Sequence, residues 1–178
     1  MASEPSTIPL LTPAELAVEP GQQLDGPSKT VVSDLINAHG FVLFRGYDIK
    51  SDSDFHRFIE SFGLDNFKYA DSFSNAVRHN RTERVFTANE APPNVEIFLH
   101  HEMAQTLTFP GALFFFCEKA AESGGATPIC RSDLALETLE TQNPTFTAKL
   151  RSVGVKYRNS MHPRRIMNRG RGGAGKIR

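Results

Sequence analysis

The spacing of apolar residues changes at Gly63, and that change limits the folds open to the chain. Ahead of it, Val31, Val32, Leu35 and Ile36 form one stripe at helical spacing, and Phe55, Phe58, Ile59 and Phe62 form another at i, i+3, i+4 and i+7. Helices are expected over 30–39 and 54–62. Gly40 stands where a left-handed C-terminal residue is wanted. Between the two helices, Phe41-Val-Leu-Phe44 closed by Arg45-Gly46 reads as a short strand buried on both faces. Thr12, Pro13 and Glu15 have the arrangement of a capping box, so a short helix is expected there. Beyond Gly63, β-like runs at 85–88, 95–102, 112–119 and 126–130 are separated by polar connections containing Gly or Pro. Ser132 or Asp133 can cap a helix, Asn143-Pro144 can start another, and Val153 to Tyr157 is a last strand candidate. The pattern predicts an α+β, mainly β chain: a sandwich or jelly roll preceded by helices.

The 178 residues suffice for one core. Counting Gly, about 46% of them are apolar, the ordinary globular share. No basic leader with an apolar stretch opens the sequence, and no run approaches the roughly 18 apolar residues of a membrane span. The expectation is a cytoplasmic protein. Two cysteines, Cys117 and Cys130, are too few for a disulfide scaffold and read as buried thiols. Net charge is zero, but six of the 20 basic residues lie in 163–178 with no acid. That leaves 14 basic against 20 acidic groups in 1–162. Three stretches are expected: an N-terminal segment 1–27, the domain 28–162, and a disordered Arg/Gly-rich tail 163–178. Without interleaved aromatic residues the tail is a poor nucleic-acid binder.

Leu99-His-His-Glu102 carries the candidate chemistry. On a strand, His100 and Glu102 share a face and His101 takes the other. An imidazole and a carboxylate so placed supply two adjacent corners of a metal shell, two thirds of the 2-His-1-carboxylate triad of non-haem iron oxygenases. The pair alone says little, because chance gives about 0.7 His-x-acid pairs in a chain of this composition. On a regular strand Glu96 and Phe98 share the His100 face and could line a substrate pocket, but ordinary wall positions are the favoured reading for them, and Phe114 to Phe116 read as core.

The surrounding string is more specific. Gly40-Phe-Val-Leu-Phe-Arg-Gly46, Thr87-Ala-Asn-Glu-Ala-Pro-Pro93, Phe98-Leu-His-His-Glu102, Pro110, Leu113-Phe-Phe-Phe-Cys117 and Gly124-Gly-Ala-Thr-Pro128 together resemble the taurine dioxygenase (TauD/TfdA) family of iron(II)- and 2-oxoglutarate-dependent dioxygenases. The likeness covers most of 28–158 and is strongest to the branch of clavaminate synthase and the syringomycin-pathway hydroxylase, where Glu often stands for the commoner Asp. It implies a double-stranded β-helix, Fe(II), and 2-oxoglutarate as cosubstrate of a small-molecule oxidation. It also implies His100 and Glu102 as iron ligands and Thr127 as a hydrogen-bond donor to the distal carboxylate of 2-oxoglutarate. The family's second His and its 2-oxoglutarate-binding Arg lie downstream of the matched region. His162, the only later imidazole, sits beside the basic tail and is a poor ligand candidate. The expectation is therefore a truncated jelly roll with an open sheet edge that a protein partner could cover. Its alternative role is that of a catalytically inactive member acting through such a partner.

Overall fold

Two short strands and the helix between them set the frame. The computed structural model describes residues 8–68, 78–88, 92, 94–104 and 106–158. In it, β1 (Leu10–Leu11) lies parallel to β2 (Leu43–Phe44), with Leu10 opposite Leu43 and Leu11 opposite Phe44. The Leu43 and Arg45 N–H groups donate to Pro9 O at 2.8 Å and Leu11 O at 2.9 Å. Parallel strands need a long crossover, and α1 (Gly26–His39) supplies it. This helix starts four residues before the expected point because the Asp25 side chain caps the Ser28 N–H at 2.8 Å and Pro27 fits the first turn. It stops at Gly40, whose φ of 82° is left-handed and whose N–H reaches Ile36 O. Of its stripe, Val32 is buried, while Val31 and Ile36 are exposed.

The strand expected over 41–44 is corrected in extent and burial. It spans two residues and is half-buried, because among the described residues β1 is its one hydrogen-bonded neighbour, and aromatic side chains pack against it. The expected helix at Thr12 is corrected to a single turn. The capping bonds form, with Thr12 N–H donating to Glu15 Oε2 at 2.6 Å, and they hold the Glu15 carboxyl below its usual range. Leu16 and Val18 are both buried, however, and residues two apart reach the same side only from extended backbone.

Helix α2 (Asp52–Glu60) opens on Ser51, which accepts from the Asp54 N–H at 3.1 Å, and carries Asp52 and Asp54 in its first turn. Its buried face is Phe55, Phe58 and Ile59. Gly21 N–H donates to Arg57 O at 3.1 Å, and the buried Ser61 hydroxyl donates to Glu19 O at 3.0 Å, so the 19–24 loop is stitched to the helix end. The main core joins Leu11, Leu16, Val18, Leu24, Val32, Phe58 and Phe62. Phe58 sits edge-on to Phe44 and Tyr47, both at 5.3 Å, the favoured geometry for aromatic pairs.

A second cluster of Phe55, Ile59 and Val85 adjoins it. Phe116 stacks on Phe55 at 5.2 Å, and Phe114 lies 5.1 Å from Phe62 and touches both clusters. The middle ring of that triplet is corrected from core to surface, since Phe115 alternates away and is 70% exposed.

The remaining regular structure is helical. α3 (Ser132–Gln142) and α4 (Pro144–Val153) pack together and are joined by the Arg151–Glu140 pair. Asn143 caps α4 by accepting the Phe146 N–H at 3.2 Å. Arg131, at the start of α3, chelates Asp133 and also donates to Ala38 O near the end of α1, which ties the hairpin to the frame.

The expected mainly-β jelly roll is not seen as such among the described residues. Four helices accompany one two-stranded sheet, and 85–88, 95–102, 112–119, 126–130 and 153–157 carry no ladder beyond the isolated Asn80–Phe86 bridge. A strand is stabilised by cross-strand partners; only 85–87 has one here, in 79–81, where Arg81 N–H donates to Val85 O and Thr87 N–H to His79 O, and among the described residues the other runs pair with no strand. Cys117 and Cys130 lie on such uncovered segments and are exposed, not buried. No described helix is long and apolar enough to cross a membrane. The expected tail, 163–178, lies outside the described residues.

Candidate functional site

The run ending in His100 and Glu102 is extended without being a paired strand, yet its side chains are closely organised. His100 Nε2 faces Glu102 Oε2 at 3.6 Å. His100 Nδ1 lies 2.7 Å from Phe98 O. A carbonyl oxygen only accepts, so Nδ1 carries the proton in that contact, and in the neutral ring the Nε2 lone pair is directed at the carboxylate. A proton carried on Nε2 or a metal ion between the two atoms makes their approach favourable. Adjacent corners of an octahedral shell with bonds of about 2.1 Å lie about 3 Å apart, so a modest closure of the pair would seat a divalent ion. The donor set of one neutral imidazole and one carboxylate fits iron(II).

The segment is fixed immediately downstream. Met103 has a left-handed φ of 61°, rare for a residue with a Cβ, and is 3% exposed. Its buried side chain offsets the strained backbone, and the turn it makes ends the extended run directly after Glu102. His101 points elsewhere, edge-on to Phe109 at 6.0 Å.

Glu102 has a second neighbour that no sequence motif announced. Arg78, 24 residues upstream, places Nη2 3.3 Å from Glu102 Oε1. The side chains of Arg78 and Glu102 are 20% and 16% exposed, against 58% for His100. Glu102 and Arg78 belong to the wall of a cleft of about 720 Å³, a volume suited to a small molecule. Phe55, Phe114 and Phe116 form part of its apolar lining, and Arg81 and Arg84 lie along it. Arg81 is paired with Asp52 at 2.8 Å, and Arg84 donates to Leu64 O at 3.0 Å. His56 bridges α2 to this wall, with Nδ1 2.8 Å from the Thr82 hydroxyl and Nε2 3.3 Å from Glu60. Thr82 Oγ1 already accepts from the Arg84 and Val85 N–H groups, which directs its own proton to His56.

The other expected residues are placed differently. Thr127 is exposed and outside the cleft lining. Glu96 is exposed and Phe98 is 74% exposed, and neither lines the cleft, so the pocket-lining alternative is not met for them. His162 and part of the Thr87–Pro93 string lie outside the described residues. Among the described residues no third His, Cys, Asp or Glu joins His100 and Glu102.

Comparison with known proteins agrees with the motif string. The profile of the taurine catabolism dioxygenase TauD, TfdA family matches residues 7–171. A clavaminate synthase-like protein of Arabidopsis thaliana is 41% identical over 129 residues, which is 72% of this chain and 38% of that protein. Dapdiamide synthesis protein DdaC of Enterobacter agglomerans is 26% identical over 126 residues, 71% of this chain and 37% of that protein. The chain thus spans less than two fifths of the length of these curated relatives.

Proposed function

Because the chain belongs to the TauD/TfdA dioxygenase family, we propose that it serves an iron(II)- and 2-oxoglutarate-dependent oxidation of a small molecule in the cytoplasm, within the double-stranded β-helix that the family implies. The observation that supports this most is the directed pair of His100 Nε2 and Glu102 Oε2, 3.6 Å apart, beside an apolar cleft. In this reading His100 and Glu102 hold the iron and Thr127 donates its hydroxyl to the distal carboxylate of 2-oxoglutarate. Thr127 rests on the Gly124-Gly-Ala-Thr-Pro128 likeness alone. When bound, iron and 2-oxoglutarate supply O₂ reduction coupled to decarboxylation to succinate.

The chain's own residues have simpler tasks. The Phe98 carbonyl holds the His100 ring in the tautomer whose Nε2 can ligate. The left-handed turn at Met103 and its burial fix the residue after Glu102. Phe55, Phe114 and Phe116 give the cleft a wall that excludes water from a C–H-bearing substrate. A test follows 2-oxoglutarate-dependent succinate formation and Fe(II) binding in the protein, His100→Ala and Glu102→Ala. Both are expected to fall at least tenfold in each variant. Turnover indifferent to His100→Ala would refute the assignment.

A second reading, an inactive member that works by binding a protein partner, draws on the exposed apolar side chains Phe98, Leu107 and Phe115. It predicts no stoichiometric iron and a discrete heteromeric complex in size-exclusion chromatography.

A further inference from the structure

The geometry points to Arg78 as a positioning residue: it occupies Oε1 of Glu102 and so presents Oε2 as a single-oxygen donor beside His100. This rests on the reading of His100 and Glu102 as metal ligands. The two carboxylate oxygens have different neighbours, Arg78 Nη2 at 3.3 Å from Oε1 and His100 Nε2 at 3.6 Å from Oε2. A carboxylate that grips a metal through both oxygens takes two coordination positions, and one that grips through a single oxygen leaves the second position to another ligand. With a guanidinium on Oε1, the two-oxygen grip requires breaking an ion pair that is largely shielded from water. The contact is longer than the roughly 2.8 Å usual for such pairs, so it steers the carboxylate without locking it. The other arginines of the wall cannot take over the task, since Arg81 is held by Asp52 and Arg84 by Leu64 O.

Arg78 acts on a bound metal in two opposite ways, and this makes its role testable. As a positive charge near the site it weakens the binding of any cation, so if it were only a neighbour, removing it would tighten metal binding. As the residue that orients Glu102, its removal weakens binding, by the roughly 10- to 100-fold typical of outer-shell partners. The experiment titrates the protein, Arg78→Lys and Arg78→Met with Co(II) by calorimetry, and records infrared difference spectra of the carboxylate stretches, with Glu102→Gln identifying the band. Far-UV circular dichroism confirms that each variant is folded.

The expected result is weaker binding in both variants, including Arg78→Lys, where the charge is kept but the ammonium on its different stem no longer stands where the guanidinium meets Oε1. The Glu102 stretches should also change from the wide splitting of one-oxygen binding to the narrow splitting of two-oxygen binding. Equal or tighter binding in Arg78→Met, or an unchanged splitting, overturns the proposal. If the protein takes no Co(II) that His100→Ala or Glu102→Ala abolishes, the reading of the pair as ligands fails first, and the role of Arg78 falls with it.

Discussion

Replacing Gly40 with alanine should cost the fold about 2–3 kcal/mol, and the cost should depend on Arg131. Two effects contribute. Gly40 has a φ of 82°, where an L-residue with a Cβ is disfavoured by about 1–2 kcal/mol. The new Cβ would also stand 2.5 Å from Arg131 Cγ and 3.1 Å from its Cδ, against an ordinary carbon contact of about 3.5–4 Å. The Arg131 stem must retreat, yet its guanidinium is held by both Ala38 O and Asp133. Giving up the Ala38 bond adds about 1 kcal/mol. For a chain of this length the sum lowers Tm by about 4–12 °C. The assay is urea unfolding followed by far-UV circular dichroism in Gly40→Ala, Arg131→Ala and the double variant. With Arg131 absent, Gly40→Ala should cost only its backbone share, leaving a coupling of about 1 kcal/mol. Strict additivity would refute the claim that Arg131 packed over Gly40 links α1 to the α3–α4 hairpin.

The same clamp predicts an acid-side effect. Arg131 holds the Asp133 carboxyl down at about 2, below its unfolded value of roughly 3.9, so its stabilisation is complete above pH ~4 and fades as pH falls toward 2. The Asp133 carboxyl carbon, followed by NMR, should titrate near 2 and move toward the unfolded value in Arg131→Ala; an unmoved midpoint counts against the clamp. Cys117 and Cys130 should both react with a thiol reagent without denaturant, and protection of either until unfolding would contradict their exposure.

Where the sequence could be read, the determinants were local. Phe55, Phe58 and Ile59 at helical spacing, Gly40 after α1 and Asn143-Pro144 before α4 each act within one or two turns, and each does in the structure what its spacing predicts. What could not be read is non-local. Leu10–Leu11 is a strand only because Leu43–Phe44 lies beside it, and nothing in Ile8-Pro-Leu-Leu11 signals that partner. The runs at 95–102 and 112–119 have the composition of strands, but alternation cannot specify a neighbour. At the site, the two-residue spacing of His100 and Glu102 identified which atoms could meet. The Arg78 contact crosses 24 residues of unpatterned sequence and the bridge from His56 to Thr82 crosses 26. Neither leaves a motif.

The buried residues of the main core all lie between Leu11 and Phe62, and Phe114 packs against them from later in the chain. On a ribosome adding about 5–20 residues per second, those buried residues are all synthesised seconds before His100 and Glu102. The crossover, its capping glycine and the aromatic cluster around Phe58 can therefore assemble while the segment carrying His100 and Glu102 is still in the exit tunnel. The segment carrying His100 and Glu102 is then laid onto a surface that has already formed, which gives a vectorial order to its biogenesis: scaffold first, candidate site second.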